Sequence, residues 1–223
     1  MGKMIELAAA DGHNFGAYRA EPAGKPKGGV IVVMEIFGVN DHIRKVTDGY
    51  AAAGYLAIAP AMFDRVHRGL DVGYTGADLD TARAAMQKAK LDDALKDVTA
   101  AMQNIASAGR TGIVGYCWGG TVAWKSACNV PGIAGALAYY GGGIPGLIGE
   151  QPKCPVMFHW GETDQSIPLA KAKEVAAAHS NQTHYFYPAS GHGFNCDQRA
   201  SYNADSAKLA LSRSLEFLAK NVG

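Results

Sequence analysis

The most constraining stretch of the chain is Thr111–Thr121, which reads Thr-Gly-Ile-Val-Gly-Tyr-Cys-Trp-Gly-Gly-Thr. Gly112-Ile113-Val114 has the short apolar run of a buried strand, and the residues after the pentapeptide Gly115-Tyr116-Cys117-Trp118-Gly119 are compatible with a helix. A strand that turns sharply into a helix needs small residues on both sides of the turn, because a Cβ would clash where the backbones approach. Such a turn lifts its middle side chain out on the tip, at a helix N-terminus. That is the arrangement of a nucleophile elbow, with sulfur where a serine oxygen is usual. The plain alternative is a glycine-rich strand–helix turn holding an inert cysteine, and the rest of the chain has to decide between them.

Taken in order, apolar strand runs alternate with helical segments. Met4–Ala8 and Phe15–Ala20 flank Asp11-Gly12, a hairpin signal. Gly29–Met34 reads as a fully buried strand ending at Glu35-Ile36-Phe37-Gly38. Asn40 or Asp41 then caps a helix to about Ala53, Gly54 stops it, and Tyr55–Ala59 is the next strand. Ala61–Asp78 has no clear period, carries Arg65 and Arg68, and is expected to be a long functional loop. Asp78–Ser107 is helical in composition, with Leu91, Leu95, Val98, Met102 and Ile105 at helical spacing and Gly109 as the stop. After the elbow comes a helix to about Cys128, then strands at Ile133–Tyr139, Pro155–Trp160 and Thr183–Tyr187. Helices are expected at Pro168–His179 and Ala204–Lys220, the latter with Ala207, Leu211, Leu215 and Leu218 on one face. This alternation predicts an α/β fold: a mostly parallel sheet with helices on both faces, in one domain spanning 1–223.

Composition narrows the function classes. A net charge of +1 gives no footprint for nucleic acid or an anionic membrane, and no apolar run is long enough to span a bilayer. The four cysteines, Cys117, Cys128, Cys154 and Cys196, form no C-x-x-C pair. With no secretion signal at the N-terminus, free thiols in a reducing cytoplasm are expected rather than a disulfide framework.

A triad built on this elbow has the order nucleophile, acid, histidine, each on a loop after a strand, as in the α/β-hydrolase fold. Asp164 lies after the Pro155–Trp160 strand, with Glu162 as its neighbouring competitor. Beyond it, His179 falls near a helix end, where a C-terminal cation or a solvated face explains it, and His184 at a strand start, where packing or surface does. His192 sits in the glycine-flanked loop Ser190-Gly191-His192-Gly193-Phe194, which suits an imidazole that must reach the elbow. The expected catalytic set is Cys117, His192 and Asp164, with an oxyanion hole from the backbone N–H of Trp118 and that of Ile36 or Phe37. Glu35 ends an apolar strand, where a buried carboxylate is costly without a partner. It reads either as a solvated strand end or as a group facing the site and modulating Cys117 or His192. His192, Cys196 and Asp197 have a loosely metal-like spacing, but no second ligand pair accompanies them, and neither metal nor cofactor is expected.

With these residues in hand, the chain resembles the dienelactone hydrolase (carboxymethylenebutenolidase-like) family over nearly its whole length. The resemblance is carried by Glu35-Ile36-Phe37-Gly38, Ala59-Pro60, Gly115-Tyr116-Cys117-Trp118-Gly119-Gly120, Tyr139-Tyr140-Gly141, Gly161-Glu162-Thr163-Asp164 and Gly191-His192-Gly193-Phe194. It implies a cysteine–histidine–aspartate hydrolase with an active-site glutamate at Glu35, opening enol-lactones or activated esters without metal or organic cofactor. It also implies arginines that hold a substrate carboxylate. Arg83 is the nearest match for one of them. For the other, the chain has Asn195-Cys196-Asp197 where the family has arginine, and Arg199 lies close but shifted; Arg65 and Arg68 in the Ala61–Asp78 loop are further candidates. Phe37, Tyr139 and Phe194 are further expected substrate contacts. The partner is thus a small-molecule ester or lactone, and the chain a monomer or small homo-oligomer. The rivals are a general carboxylesterase and a non-enzymatic thiol sensor on the same fold.

Overall fold

Among the described residues eight strands form one sheet: β1 (Lys3–Ala8), β2 (Asn14–Ala20), β3 (Gly29–Val33), β4 (Leu56–Pro60), β5 (Thr111–Tyr116), β6 (Ile133–Tyr139), β7 (Val156–Gly161) and β8 (Thr183–Tyr187). The coordinates are a computed structural model and describe residues 2–223. The spatial order is β1-β2-β4-β3-β5-β6-β7-β8. β1 and β2 pair antiparallel, β2 meets β4 antiparallel, and every later pairing is parallel. The hairpin between β1 and β2 turns at Gly12, whose φ of 84° only glycine adopts freely.

The central strands β3, β4 and β5 are buried along their whole length, as expected of parallel strands covered on both faces. The covering helices are α1 (Asp41–Ala52), α2 (Gly76–Lys88), α3 (Leu91–Asn104), α4 (Trp118–Asn129), α5 (Leu169–Ala178) and α6 (Ala204–Asn221). α1 and α6 share a groove on one face, while α3 packs against α4 on the other. Two glycines mark these faces. A Cβ on Gly29 would meet Ile105 at the end of α3, and one on Gly112 would meet Val222 and Leu218 at the end of α6. The Asn40 side chain caps α1 by accepting from the Ile43 N–H at 3.2 Å.

Three expectations are corrected. Asp78–Ser107 is not one helix: Ala89 is extended (φ −71°, ψ 138°), separating α2 from α3. Neither Ala89 nor Lys90 is a helix breaker, so the break is tertiary, and it swings α2 over the sheet end with Leu79 and Met86 facing inward. In α6 the buried face is Ala207, Ala210, Ser214, Phe217 and Leu218, and Leu211 is 44% exposed. The apolar stripe read from leucine spacing is rotated because small residues, Ala210 and Ser214, let the helix approach the sheet. His179 is buried rather than solvated; its Nε2 meets the Ile148 carbonyl at 2.9 Å and its ring packs edge-on against Trp124.

The Ala61–Asp78 loop is held by ion pairs rather than left free. Arg65 forks onto Asp97 of α3 at 3.0 and 2.7 Å and also reaches Asp11 of the hairpin, while Arg68 pairs with Glu6. Neither arginine lines the cavity that holds Cys117 and His192. Asp97 is fully buried; burial pushes its carboxyl upward, and the Arg65 fork opposes that. Removing one partner of such a pair costs about 3–5 kcal/mol when the survivor stays charged. Arg65→Met should therefore lower unfolding stability by about 3 kcal/mol at pH 8. Asp97, with its pKa raised further in the folded variant, binds a proton as pH falls, so the deficit against wild type should shrink toward pH 5. Urea titrations of both proteins at the two pH values check this, and a deficit independent of pH would refute it.

Candidate active site

The site stands at the carboxyl ends of the parallel strands, where the chain reverses its direction of travel across the sheet. From β3 it moves outward to β4, then returns to place β5 on β3's other side. Crevices form at such switch points because the loops after the two strands diverge. Here those loops carry Glu35-Ile36 after β3 and Cys117 after β5.

Cys117 has φ 55° and ψ −119°, a left-handed conformation that a non-glycine residue holds only when its surroundings enforce it. Three glycines provide that enforcement. A Cβ on Gly115 would lie 1.8 Å from the Gly119 carbonyl oxygen, and one on Gly119 would lie 2.4 Å from the carbonyl oxygens of Met34 and Val33. On Gly120 it would meet the Tyr139 carbonyl oxygen at 2.5 Å. That same carbonyl accepts from the Cys117 N–H at 3.0 Å, tying the turn to β6. The small residues expected around the turn are a packing requirement, and the inert-turn alternative has no use for the strain.

From the tip runs a continuous line of hydrogen bonds. His192 Nε2 is 3.0 Å from Cys117 Sγ, and His192 Nδ1 is 2.8 Å from Asp164 Oδ2. The other oxygen of Asp164 accepts from the N–H groups of Ser166 (2.7 Å) and Ile167 (3.0 Å), so the carboxylate is fixed before α5 begins. Glu162, the competitor, points to solvent. The His192 loop is held by Ser201 Oγ, which donates to the His192 carbonyl at 2.7 Å, and by the Tyr140 ring edge-on to the imidazole. Burial alone would lower the His192 pKa, but the bonds to Asp164 and Cys117 override it and hold the imidazole up at about 10. The N–H groups of Trp118, first in α4, and Ile36 donate to no group among the described residues, which leaves them free for an oxyanion.

Glu35 is 1% exposed, so it is not a solvated strand end. Its Oε1 accepts from Arg199 at 2.9 Å; its Oε2 is buried without a partner among the described residues. Arg199 lies over the rings of Phe37 and Tyr74 and within electrostatic range of Cys117. Burial depresses its pKa, yet Glu35 and Cys117 bring the net shift upward. The offset of Arg199 in sequence does not remove it from the site. Successive tight turns, from the Cys196 N–H to Gly193 and from the Arg199 N–H to Cys196, fold the segment back on itself. Its guanidinium lies where a Cβ on Gly193 would be, at 2.4 Å.

A cavity of about 460 Å³ opens over Cys117 and His192. Phe37, Arg83, Ile36 and Trp118 line it as expected, and Leu79, Met86, Leu91 and Ser166 join them. Tyr139 and Phe194 do not. Both are 0% exposed; Tyr139 bonds Ser214 at 2.7 Å behind the sheet end, and Phe194 packs under Tyr140 and Tyr187. Their adjacency to the motifs reflects support of the loops, not contact with a ligand. The metal-like grouping also differs from its sequence form, because His192 is engaged in the triad line. Among the described residues His42, Cys196 and Asp197 come together instead. His42 Nδ1 already bonds Asp197 at 3.0 Å. All four cysteines are free thiols, and burial pushes Cys128 up to about 12 and Cys154 and Cys196 up to about 11. Among the described residues no helix is long and apolar enough to cross a membrane.

The model of the dienelactone hydrolase family matches residues 15–222, nearly the whole chain. The chain belongs to the dienelactone hydrolase family. Relatives agree with this assignment. A candidate carboxymethylenebutenolidase of Synechocystis is 34% identical over 204 residues, 82% of each protein. Another, of Azospirillum brasilense, is 33% identical over 233 residues, covering 98% of this chain and 99% of that protein. The crystal structure of a candidate dienelactone hydrolase from Klebsiella pneumoniae superposes with a TM-score of 0.82 at 31% identity, covering 98% of this chain and 99% of that one. The chain is thus a hydrolase with the α/β-hydrolase architecture of its family.

The raised His192 pKa fixes the sign of a pH effect. The folded protein keeps the imidazole proton up to about pH 10, whereas the unfolded chain loses it near 6.5. This contribution to stability is fully present below pH 6.5 and is lost as pH rises toward 10. Urea midpoints measured from pH 6 to 10 should fall, and the fall should be much smaller in Asp164→Asn. An equal fall in both proteins would show that the Asp164–His192 bond is not its source.

Proposed function

We propose that this member of the dienelactone hydrolase family opens a lactone or an activated carboxylic ester with Cys117 as nucleophile. The supporting observation is the unbroken Asp164–His192–Cys117 hydrogen-bonded line on a strained elbow. The thiol proton rests on His192 Nε2, whose raised pKa keeps it there, so sulfur attacks the carbonyl as the thiolate while Asp164 holds Nδ1–H and stabilises the imidazolium. The N–H groups of Trp118 and Ile36 receive the oxyanion. Collapse of the tetrahedral species expels the enol or alcohol oxygen, which His192 protonates, and leaves a thioester on Cys117. Water, deprotonated by His192, then attacks the thioester and releases the acid. Enolates and phenolates suit this sequence because a weakly basic thiolate competes poorly with an alkoxide as the group retained. Amides should be poor substrates for the same reason.

Two cations serve the acidic part of a substrate. Arg199 sits in the cavity bound to Glu35, and Arg83 is exposed on α2 with no ion-pair partner among the described residues. A carboxylate entering the cavity therefore meets Arg83 unencumbered and competes with Glu35 for Arg199. Glu35 acts on the electrostatics around Cys117 and His192 through that pairing. A pure thiol sensor would need a reactive sulfur but not an ordered base and orienting acid.

Hydrolysis of dienelactone and of p-nitrophenyl acetate by wild type and Cys117→Ala tests the reading. Wild-type turnover should fall by a factor on the order of 10³ or more in the variant. Mass spectrometry of wild type quenched with the ester should show one acyl group on the Cys117 peptide. Full activity in Cys117→Ala would exclude the thiol as nucleophile. Peroxide-sensitive oxidation of Cys117 without turnover of either compound would favour the sensor.

A further inference from the structure

Resting on the hydrolase reading above, we propose that the enzyme's substrates are amphipathic esters or lactones carrying an apolar arm that lies against α2 and the start of α3. A carboxymethylenebutenolide has ten non-hydrogen atoms and at interior packing density fills roughly 150–200 Å³. The cavity over Cys117 holds about 460 Å³, so more than half of it stays unfilled by the compact, singly carboxylated lactone that the family name implies. The unfilled part has a chemical character. Leu79 and Met86 of α2 and Leu91 of α3 form its wall. Leu79, Arg83 and Met86 stand at i, i+4 and i+7, one face of the helix. The three apolar side chains are only half-buried, so they present hydrocarbon to water inside a concave site rather than singly on an open surface.

The helix is only shallowly seated, with Leu79 and Met86 partly buried against the core. Of the thirteen residues of α2 only Ala82 and Ala85 are buried, and its N-cap, Thr75, makes no side-chain cap bond. An apolar ligand arm would complete the packing that the inner face of α2 lacks. Arg83 lies in the middle of that face; its aliphatic stem can follow the arm while the guanidinium stays at the polar rim. The arm the wall fits is an alkyl chain of about six to eight carbons or one substituted ring, by the volume left over. Met86 and Leu79 are then specificity-determining residues that touch the non-reacting part of the substrate.

Two ester series test this, one for each side of the scissile bond: p-nitrophenyl acetate through octanoate, and 4-methylphenyl through 4-hexylphenyl acetate, all below their micellar concentrations. In one of the series kcat/KM should rise roughly two- to fourfold per methylene, the gain for burying a CH₂ group, and by at least about tenfold overall. Met86→Trp, which fills the wall, and Leu79→Ser, which removes hydrocarbon without adding bulk, should each lower the long-to-short ratio of kcat/KM by about fivefold or more. Circular dichroism and Tm confirm that each variant is folded. Turnover of the acetates with flat or falling kcat/KM in both series would overturn the proposal and leave the hydrolase reading intact. So would a ratio unchanged in both variants. No turnover of any ester, the acetates included, would remove the hydrolase reading and this inference with it.

Discussion

The Cys117 backbone can hold its left-handed conformation only because β3, β5, β6 and α4 approach one another as closely as three glycines allow. The contact is backbone on backbone: Gly119 against the carbonyls of Val33 and Met34, Gly120 against that of Tyr139. Interiors at this packing density do not absorb even one added methyl group without movement of main chain. The elbow is therefore the point where helix, central strand and neighbouring strands are fixed together. It also sets where the sulfur stands relative to Ile36, because Met34 is two residues from that N–H. A single packing constraint positions the thiol, the first amide of α4 and the loop after β3 at once. The cost of the strain is borne by the buried strands on either side.

Around this rigid point the charged groups are arranged in layers of decreasing fixity. Asp164 accepts two backbone N–H bonds before it meets His192, so its geometry does not depend on the imidazole. The imidazole is held on three sides, by Asp164, by the Tyr140 ring and through the Ser201 bond to its carbonyl. Glu35 and Arg199 are different. A carboxylate 1% exposed is tolerable because the guanidinium neutralises it, yet only one of its oxygens is bonded. Arg199 retains 23% exposure of its side chain and stacks over two rings rather than being locked by further carboxylates. Arg83, exposed and unpaired among the described residues, is the least constrained. The groups that would touch the reacting atoms are thus the most tightly held, and those facing the rest of the substrate the least.

This division also marks what could be read from the chain alone. The strand runs, the elbow and the acid and histidine loops each have a local cause: a buried apolar run, a glycine demanded by close approach, a short polar residue accepting from the next turn. Their boundaries fell within a residue or two of the observed elements, as with Ile133–Tyr139 and Thr183–Tyr187. What was not legible depends on distant packing. Ala89-Lys90 carries no signal for a break, since the chain bends there to bring α2 across the cavity. The burial of Tyr139 and Phe194 follows from how tightly β6, β7 and the His192 loop stack, as with Tyr139 on His159 at 4.2 Å between ring centroids. Motif adjacency does not say whether an aromatic ring faces the ligand or the core. The pairing of His42 with Asp197 joins positions 155 apart in sequence. Arg199 illustrates the same limit, because a shift of a few residues within a run of tight turns changes sequence alignment without moving the guanidinium out of the site.

The position of α2 then follows from the same economy of packing. A sheet edge needs its helices firmly seated, and α1, α3, α4 and α6 bury substantial faces against strands or one another. α2 covers the carboxyl end of the strands, where the loops carrying the triad already occupy the ground a helix would pack upon. Its inward leucine and methionine are therefore only partly buried against the core and turn the rest of their surface to the cavity. A wall of this kind can vary in shape and hydrophobicity without disturbing the elbow, because nothing in α2 touches Gly115, Gly119 or Gly120 among the contacts that fix them. On the proposed reading, catalytic geometry rests on the glycine contacts of the elbow and substrate choice on a helix that makes none of them. On that reading a substitution in α2 retunes substrate choice without loosening the elbow.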